Sequence, residues 1–153
     1  MNFQKNNFKF YLAFFLCAFH LSSQAQSLDP VIGVWKTINE KTNQPSSLIK
    51  IEEVQGLLEG TVIKTFNTPG QEPLLVCALC EDERKNQPIV GMKIMKGLKK
   101  DQHGAWSGGT ILDPKEGKIY KVKLSSDDGK KMEVRGFIGI SLIGRTQVWN
   151  RAE

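Results

Sequence analysis

Beyond residue 30 the chain runs through short stretches in which apolar and polar residues alternate, the period of two expected of strands with one buried face. Ile32 to Ile38 is the first, and Leu48 to Val54 follows a polar stretch containing Asn43 and Pro45. Gln55-Gly56 turns the chain into Leu57 to Lys64, so Ile49 and Ile51 share a face in one hairpin arm and Leu58 and Val62 in the other. Thr65 to Pro88 is irregular, with Pro69-Gly70, Pro73 and a charged run from Glu81 to Lys85. Connections this long are usually functional or disordered. Val90, Met92 and Ile94 predict a fourth strand, Lys96 to Gly104 a polar turn, and Ala105 to Leu112 a fifth strand. Asp113-Pro114-Lys115-Glu116-Gly117 is a turn by its proline and glycine, and Tyr120, Val122 and Leu124 then alternate with Lys121 and Lys123. Asp127-Asp128-Gly129 closes the next hairpin. Met132 and Val134 continue the pattern until Gly136 and Gly139, read as a bulge or bend. Ile140 to Gly144 fits one helical turn or an irregular crossover before the last strand, Thr146 to Arg151.

Eight runs at this spacing, with no segment long enough for an amphipathic helix, describe an all-β meander. Closing it into a small antiparallel up-and-down barrel of eight strands removes the exposed edges. An open sandwich is the alternative.

The first 25 residues follow a different rule. Lys5 and Lys9 precede an apolar run from Phe10 to Phe19, and Ser23 and Ala25 offer the small residues of a cleavage site, which predicts a secretory signal and a mature start at Gln26. The run is shorter than the ~20 residues that span a bilayer, so a membrane anchor, and an integral membrane protein after cleavage, are not expected. Cys17 follows Phe14, Phe15 and Leu16 and lacks the small residue that precedes a lipidated cysteine. Residues 26–153 are then long enough for one hydrophobic core and are read as a single barrel domain. Of 13 aromatic residues, 7 lie in the signal, so that core must rest mainly on Ile, Val, Leu and Met. Removing the two signal lysines leaves 19 basic against 16 acidic residues, too weak an excess for a nucleic-acid footprint.

Gly33-Val34-Trp35 in the first strand, with Arg151 at the end of the last, resembles the pairing of lipocalins and their calycin relatives. That resemblance implies a tryptophan at the barrel floor packed under an arginine of the closing strand. The region after the signal also resembles a bacterial envelope family, domain of unknown function 2147. The residues carrying this likeness begin with Gly33-Val34-Trp35, Cys77-Ala78-Leu79-Cys80 and Trp106-Ser107-Gly108-Gly109-Thr110-Ile111-Leu112-Asp113-Pro114. Gly117-Lys118-Ile119-Tyr120, Val134-Arg135-Gly136-Phe137-Ile138-Gly139 and Gly144-Arg145-Thr146-Gln147-Val148-Trp149-Asn150-Arg151 follow in the same order. The likeness implies fold and compartment, the periplasm or cell envelope of a bacterium, and carries no activity with it.

Candidate chemistry is sparse. Cys77 and Cys80 form the one Cys-x-x-Cys, which can be a redox centre, half a metal site or a structural disulfide. A redox pair needs a helix N-terminus to depress a thiol pKa, and zinc needs more ligands than these thiols and His103 supply. In an oxidising compartment the structural disulfide is the favoured reading. By chain entropy so short a loop contributes about 2 kcal/mol or less, so a double Cys-to-Ser change is expected to cost little global stability.

His103 sits in a lysine-rich polar turn, Gly139-Ile140-Ser141-Leu142-Ile143 misses the Gly-x-Ser-x-Gly elbow by one residue, and Asp113 and Glu116 are accounted for by turn chemistry. No catalytic, cofactor or metal residues are therefore assigned, and an enzyme is not expected. Arg135 and Arg145, if inward-facing, would need acceptors, and with Trp106 and Tyr120 they are the candidate ligand or anion contacts. The expected function is binding of a small apolar or amphipathic ligand in the cell envelope, with the cysteine-bearing loop at the barrel mouth. The alternative is a non-catalytic structural or interaction protein with a solid core, its loop contacting an envelope partner.

Overall fold

The computed structural model describes residues 29–67, 70 and 72–152. The signal, Cys17 and the start at Gln26 lie outside the described residues. Eight strands follow one another: β1 (Gly33–Asn39), β2 (Gln44–Val54), β3 (Leu57–Thr65), β4 (Lys93–Lys100), β5 (Trp106–Asp113), β6 (Lys118–Ser125), β7 (Lys131–Phe137) and β8 (Gly144–Arg151). Each pairs antiparallel with the next, and β8 returns to β1, so the sheet closes in sequence order. Closure is narrow, resting on the pairs Trp35↔Arg151 and Lys36↔Asn150.

Alternation produces this because the inward positions supply the core. Ile49 and Ile51 of β2, Leu58 and Val62 of β3, Val122 and Leu124 of β6, and Met132 and Val134 of β7 are all buried. Full burial of an aliphatic side chain of this size contributes about 1.5–3 kcal/mol.

The fourth strand departs from the sequence reading. It begins at Lys93 rather than near Val90, and most of the expected polar turn at Lys96 to Gly104 is strand. Lys93, Lys96, Lys99 and Lys100 lie outside while Ile94, Met95 and Leu98 are buried, and consecutive inward residues break the period of two. The register against β3 slips twice, once between Lys93 and Met95, across Ile94, and once between Met95 and Leu98, where Gly97 has φ +77°. Gly109 on β5 accommodates it, since a Cβ there would overlap the Lys96 carbonyl and lie 2.6 Å from the Leu98 amide. Val90, half exposed, belongs to the preceding loop.

The two ends of the barrel are built differently. At one end the turns β2–β3, β4–β5 and β6–β7 meet the segment from Asp29 to Ile32, whose Val31 is buried. At the other, the β1–β2, β5–β6 and β7–β8 turns surround the long β3–β4 connection. That connection is folded: Val76 bridges Pro88, the Cys77 amide donates to the Gln87 carbonyl at 3.0 Å, and that of Ile89 to Leu75 at 2.9 Å. Residues 138–143 form bends and a turn closed by the Ile143 amide on the Ile140 carbonyl at 3.1 Å, not a helix.

Candidate functional site

The closed end is a plug of satisfied polar groups. Arg151 reaches inward from β8, its guanidinium 4.3 Å from the centre of the Trp35 ring. Its Nε donates to the Gly129 carbonyl at 2.6 Å, Nη1 to Ile32 at 2.7 Å and Nη2 to Pro30 at 2.6 Å. Gly33, with φ +137°, has no side chain because a Cβ would overlap that guanidinium. The Trp35 indole N–H donates to the Val31 carbonyl at 2.8 Å. Trp106 donates to Asp29 at 3.2 Å, and Lys100 pairs with the same carboxylate at 2.6 Å. Burial tends to raise the Asp29 pKa, but the bonds from Lys100, the Val31 amide and Trp106 outweigh it and hold the carboxyl below its ordinary value. Among the described residues, no buried side-chain donor or acceptor is left without a partner.

The opposite end is open. A cavity of about 870 Å³ descends from it between the strands. Ile49, Val62, Ile94, Leu112, Val134 and Trp149 line it in depth, and Thr37 and Ser47, hydrogen-bonded at 2.8 Å, add a polar point on the β1–β2 wall. At the rim Arg145 is ion-paired with Glu40 across the β8 and β1 ends, and Tyr120 donates its hydroxyl to Glu116 at 2.8 Å. The Arg145 guanidinium holds the Glu40 carboxyl below its usual range, and Glu40 in turn raises Arg145. The Tyr120 bond lowers Glu116, aided by Lys118, and Glu116 raises the Tyr120 phenol. Glu40, Glu72, Asp113 and Glu116 thus face Lys41, Lys115 and Arg145 around the mouth, close to charge balance. An apolar interior under a polar rim of both charge signs accepts an amphipathic molecule better than a free ion.

The candidate contacts separate accordingly. Tyr120 and Arg145 line the cavity, whereas Trp106 is at the closed end because β5 starts there and runs toward the mouth. Arg135 lies on the outer face of β7, donating to the Ser141 and Leu142 carbonyls at 2.7 and 3.2 Å and to the Thr146 hydroxyl at 2.8 Å. It braces the β7–β8 turn rather than an anion. Cys77 and Cys80 are joined in a disulfide, both sulfurs within the core cluster, and Cys77 Sγ lies 3.6 Å from the Pro114 carbonyl. The disulfide loop packs on the β5–β6 turn, where a Cβ at Gly117 would overlap the Leu79 carbonyl. Among the described residues no three His, Cys, Asp or Glu side chains gather as a metal cage, and no helix is long and apolar enough to cross a membrane.

Glu40, Gln147 and Gly136 also line the cavity and are not among the candidate contacts read from the sequence, where Gly136 marks only a bulge or bend. Arg145, Gln147, Trp149 and Arg151 recur every second residue, so the inward face of β8 was readable. Glu40, in the β1–β2 turn, had no such signal.

Residues 33–151 match the family described as an uncharacterized protein conserved in bacteria (DUF2147). No curated protein matches the sequence. Among solved structures, the chain is similar to protein HP1028 from the human pathogen Helicobacter pylori, described as belonging to the lipocalin family. The TM-score is 0.67 at 18% identity, over 80% of this chain and 82% of that one, a likeness of fold.

Proposed function

The chain belongs to the DUF2147 family, and we propose that it is a non-catalytic carrier or sensor of a small amphipathic molecule, working after export in the bacterial cell envelope. The observation that carries this is the cavity of about 870 Å³, apolar in depth and ringed by charges of both signs. That volume is in the range of pockets for small organic ligands. The lipocalin-like fold supports the reading, and the Cys77–Cys80 disulfide supports an oxidising compartment. A solid-core interaction protein is the alternative. It accounts for the packed closed half of the barrel and leaves the open half without a purpose.

The test is purification of the protein from its native envelope, followed by extraction and mass spectrometry. One class of amphipathic molecule near equimolar amount is the expected result, together with displacement of a fluorescent fatty-acid probe by that extract. Protein that carries no such molecule and does not take up the probe would overturn the reading.

A further inference from the structure

The β7–β8 turn exposes four large aliphatic side chains within six residues: Ile138 at 68%, Ile140 at 60%, Leu142 at 85% and Ile143 at 73% of their full surface. Turns are ordinarily polar, and a cluster of this kind at a loop tip marks an interaction site. The turn is also held in shape. Arg135 ties down the Ser141 and Leu142 carbonyls, and the Ile143 amide bonds the Ile140 carbonyl, so the side chains are presented rather than collapsed onto the barrel. Ile138 and Ile143 also line the cavity, which makes the turn one continuous apolar surface from outside to inside.

What lies beside it identifies the partner. β6 is the neighbour of β7, and Lys121 is in register with Phe137, the last residue before the turn. Lys118, Lys121 and Lys123 are all exposed on that strand, which contains no acidic residue; Lys118 pairs with Glu116 of the preceding turn at 3.6 Å, and Lys121 and Lys123 project from the wall beyond it. Lys123 is in register with Arg135. Aliphatic side chains at a tip with lysines set back along the adjacent wall match a bilayer surface, with acyl chains first and anionic phosphates at headgroup depth. A protein partner would be served by the aliphatics alone and would give no reason for the exposed lysines beside them.

We infer that the open end of the barrel docks on an anionic lipid surface, Ile140 and Leu142 inserting among the acyl chains and Lys121 and Lys123 meeting the phosphates. This deepens the ligand reading, because docking puts the cavity mouth against the bilayer, where an amphipathic molecule could pass without crossing water.

Vesicle co-sedimentation of the purified protein tests it, with phosphatidylcholine vesicles against the same vesicles containing phosphatidylglycerol. Binding is expected on the anionic vesicles, weakening as salt rises. Ile140→Ser/Leu142→Ser should lower vesicle affinity by about tenfold or more. Lys121→Gln/Lys123→Gln should remove most of the preference for phosphatidylglycerol. Both variants should melt as the parent does and still take up the fluorescent fatty-acid probe, which separates failure of docking from failure of the cavity reading. No binding to either vesicle, or a double serine variant that binds as the parent, overturns the inference. So does a parent dimer in sedimentation velocity that the serine changes abolish, which would give the turn to a second copy of the chain.

Discussion

Arg151 joins the last strand to the segment that leads into the first, through bonds that few other side chains could make together. Its planar fork donates to three carbonyls from two segments while its face stacks on Trp35, and a lysine ammonium could not reproduce that geometry. Arg151→Ala should therefore lower the unfolding free energy by at least about 2 kcal/mol, with Arg151→Lys recovering only part. In a double-mutant cycle with Trp35→Phe, urea unfolding should show a coupling of at least about 0.5 kcal/mol. Additive losses, or an Arg151→Ala protein as stable as the parent, would mean that β1 and β8 are held together by backbone pairing alone. Asp29 sets a second expectation at the same end. Its folded pKa is depressed, so its ionised form stabilises the fold above the unfolded value near 3.8, and that contribution is lost as pH falls through the lower folded value. Asp29→Asn should be less stable than the parent at pH 7 by about 1–2 kcal/mol, the gap closing on acidification. Asp82, held at about 2 by the Arg84 guanidinium, is present in both proteins and drops out of the difference. A gap that stays constant down to pH 3 would show that the Asp29 charge is not what the plug uses.

At the scale of elements, the β3–β4 connection behaves as a unit with its own backbone bonds, its disulfide and an ion pair between Arg84 and Asp82. Because both cysteines are almost wholly buried, Cys-to-Ser changes would add the cost of burying hydroxyls to the loss of the crosslink, so the small effect expected from chain entropy alone does not apply to serine. Cys77→Ala/Cys80→Ala is the cleaner variant, with an expected loss of about 1–3 kcal/mol. Hydrogen exchange should rise first at the amides of Cys77, Asn86 and Ile89, ahead of the barrel strands. Equal acceleration everywhere would show that the connection is part of the barrel's cooperative core. The same elements show what the sequence made legible. Most strands were readable because each has one buried face, and Ile49 with Ile51 or Met132 with Val134 repeat at two residues. β4 was misplaced because two register slips, across Ile94 and at Gly97, turn Ile94, Met95 and Leu98 all inward, and its outer lysines then look like a turn. Trp106 is among the candidate ligand contacts, and its local sequence does not tell which end of the barrel it occupies. Only strand direction, fixed by closure, places it at the plugged end.

The whole molecule is a barrel filled by side chains over one half and hollow over the other, and that division was invisible to local pattern. The mouth is made by four connections whose ends converge only when β8 meets β1, so the pairing of Glu40 with Arg145, 105 residues apart, has no signature in sequence. The hollow half offers a direct test through Gly136, which lies on the inward face of β7 in phase with Met132 and Val134 and lines the cavity. Unlike Gly33, Gly109 or Gly117, it is not required by the backbone. Its φ is not in the left-handed region, and an added Cβ would meet Tyr120 at an ordinary 3.7 Å. A larger side chain at this position therefore projects into empty space instead of displacing packed atoms, and filling a void adds contacts. Gly136→Phe should leave the melting temperature unchanged or raise it, while uptake of the fluorescent fatty-acid probe falls by about tenfold or more because the ring occupies volume the ligand needs. Gly136→Ala, which adds only the Cβ, should bind nearly as the parent does. If the phenylalanine variant is stable and still takes up the probe in full, the probe is held elsewhere and the cavity is not the binding site. If instead it unfolds, the open half is packed more tightly than a ligand chamber requires, and the solid-core alternative gains the ground that the carrier reading loses.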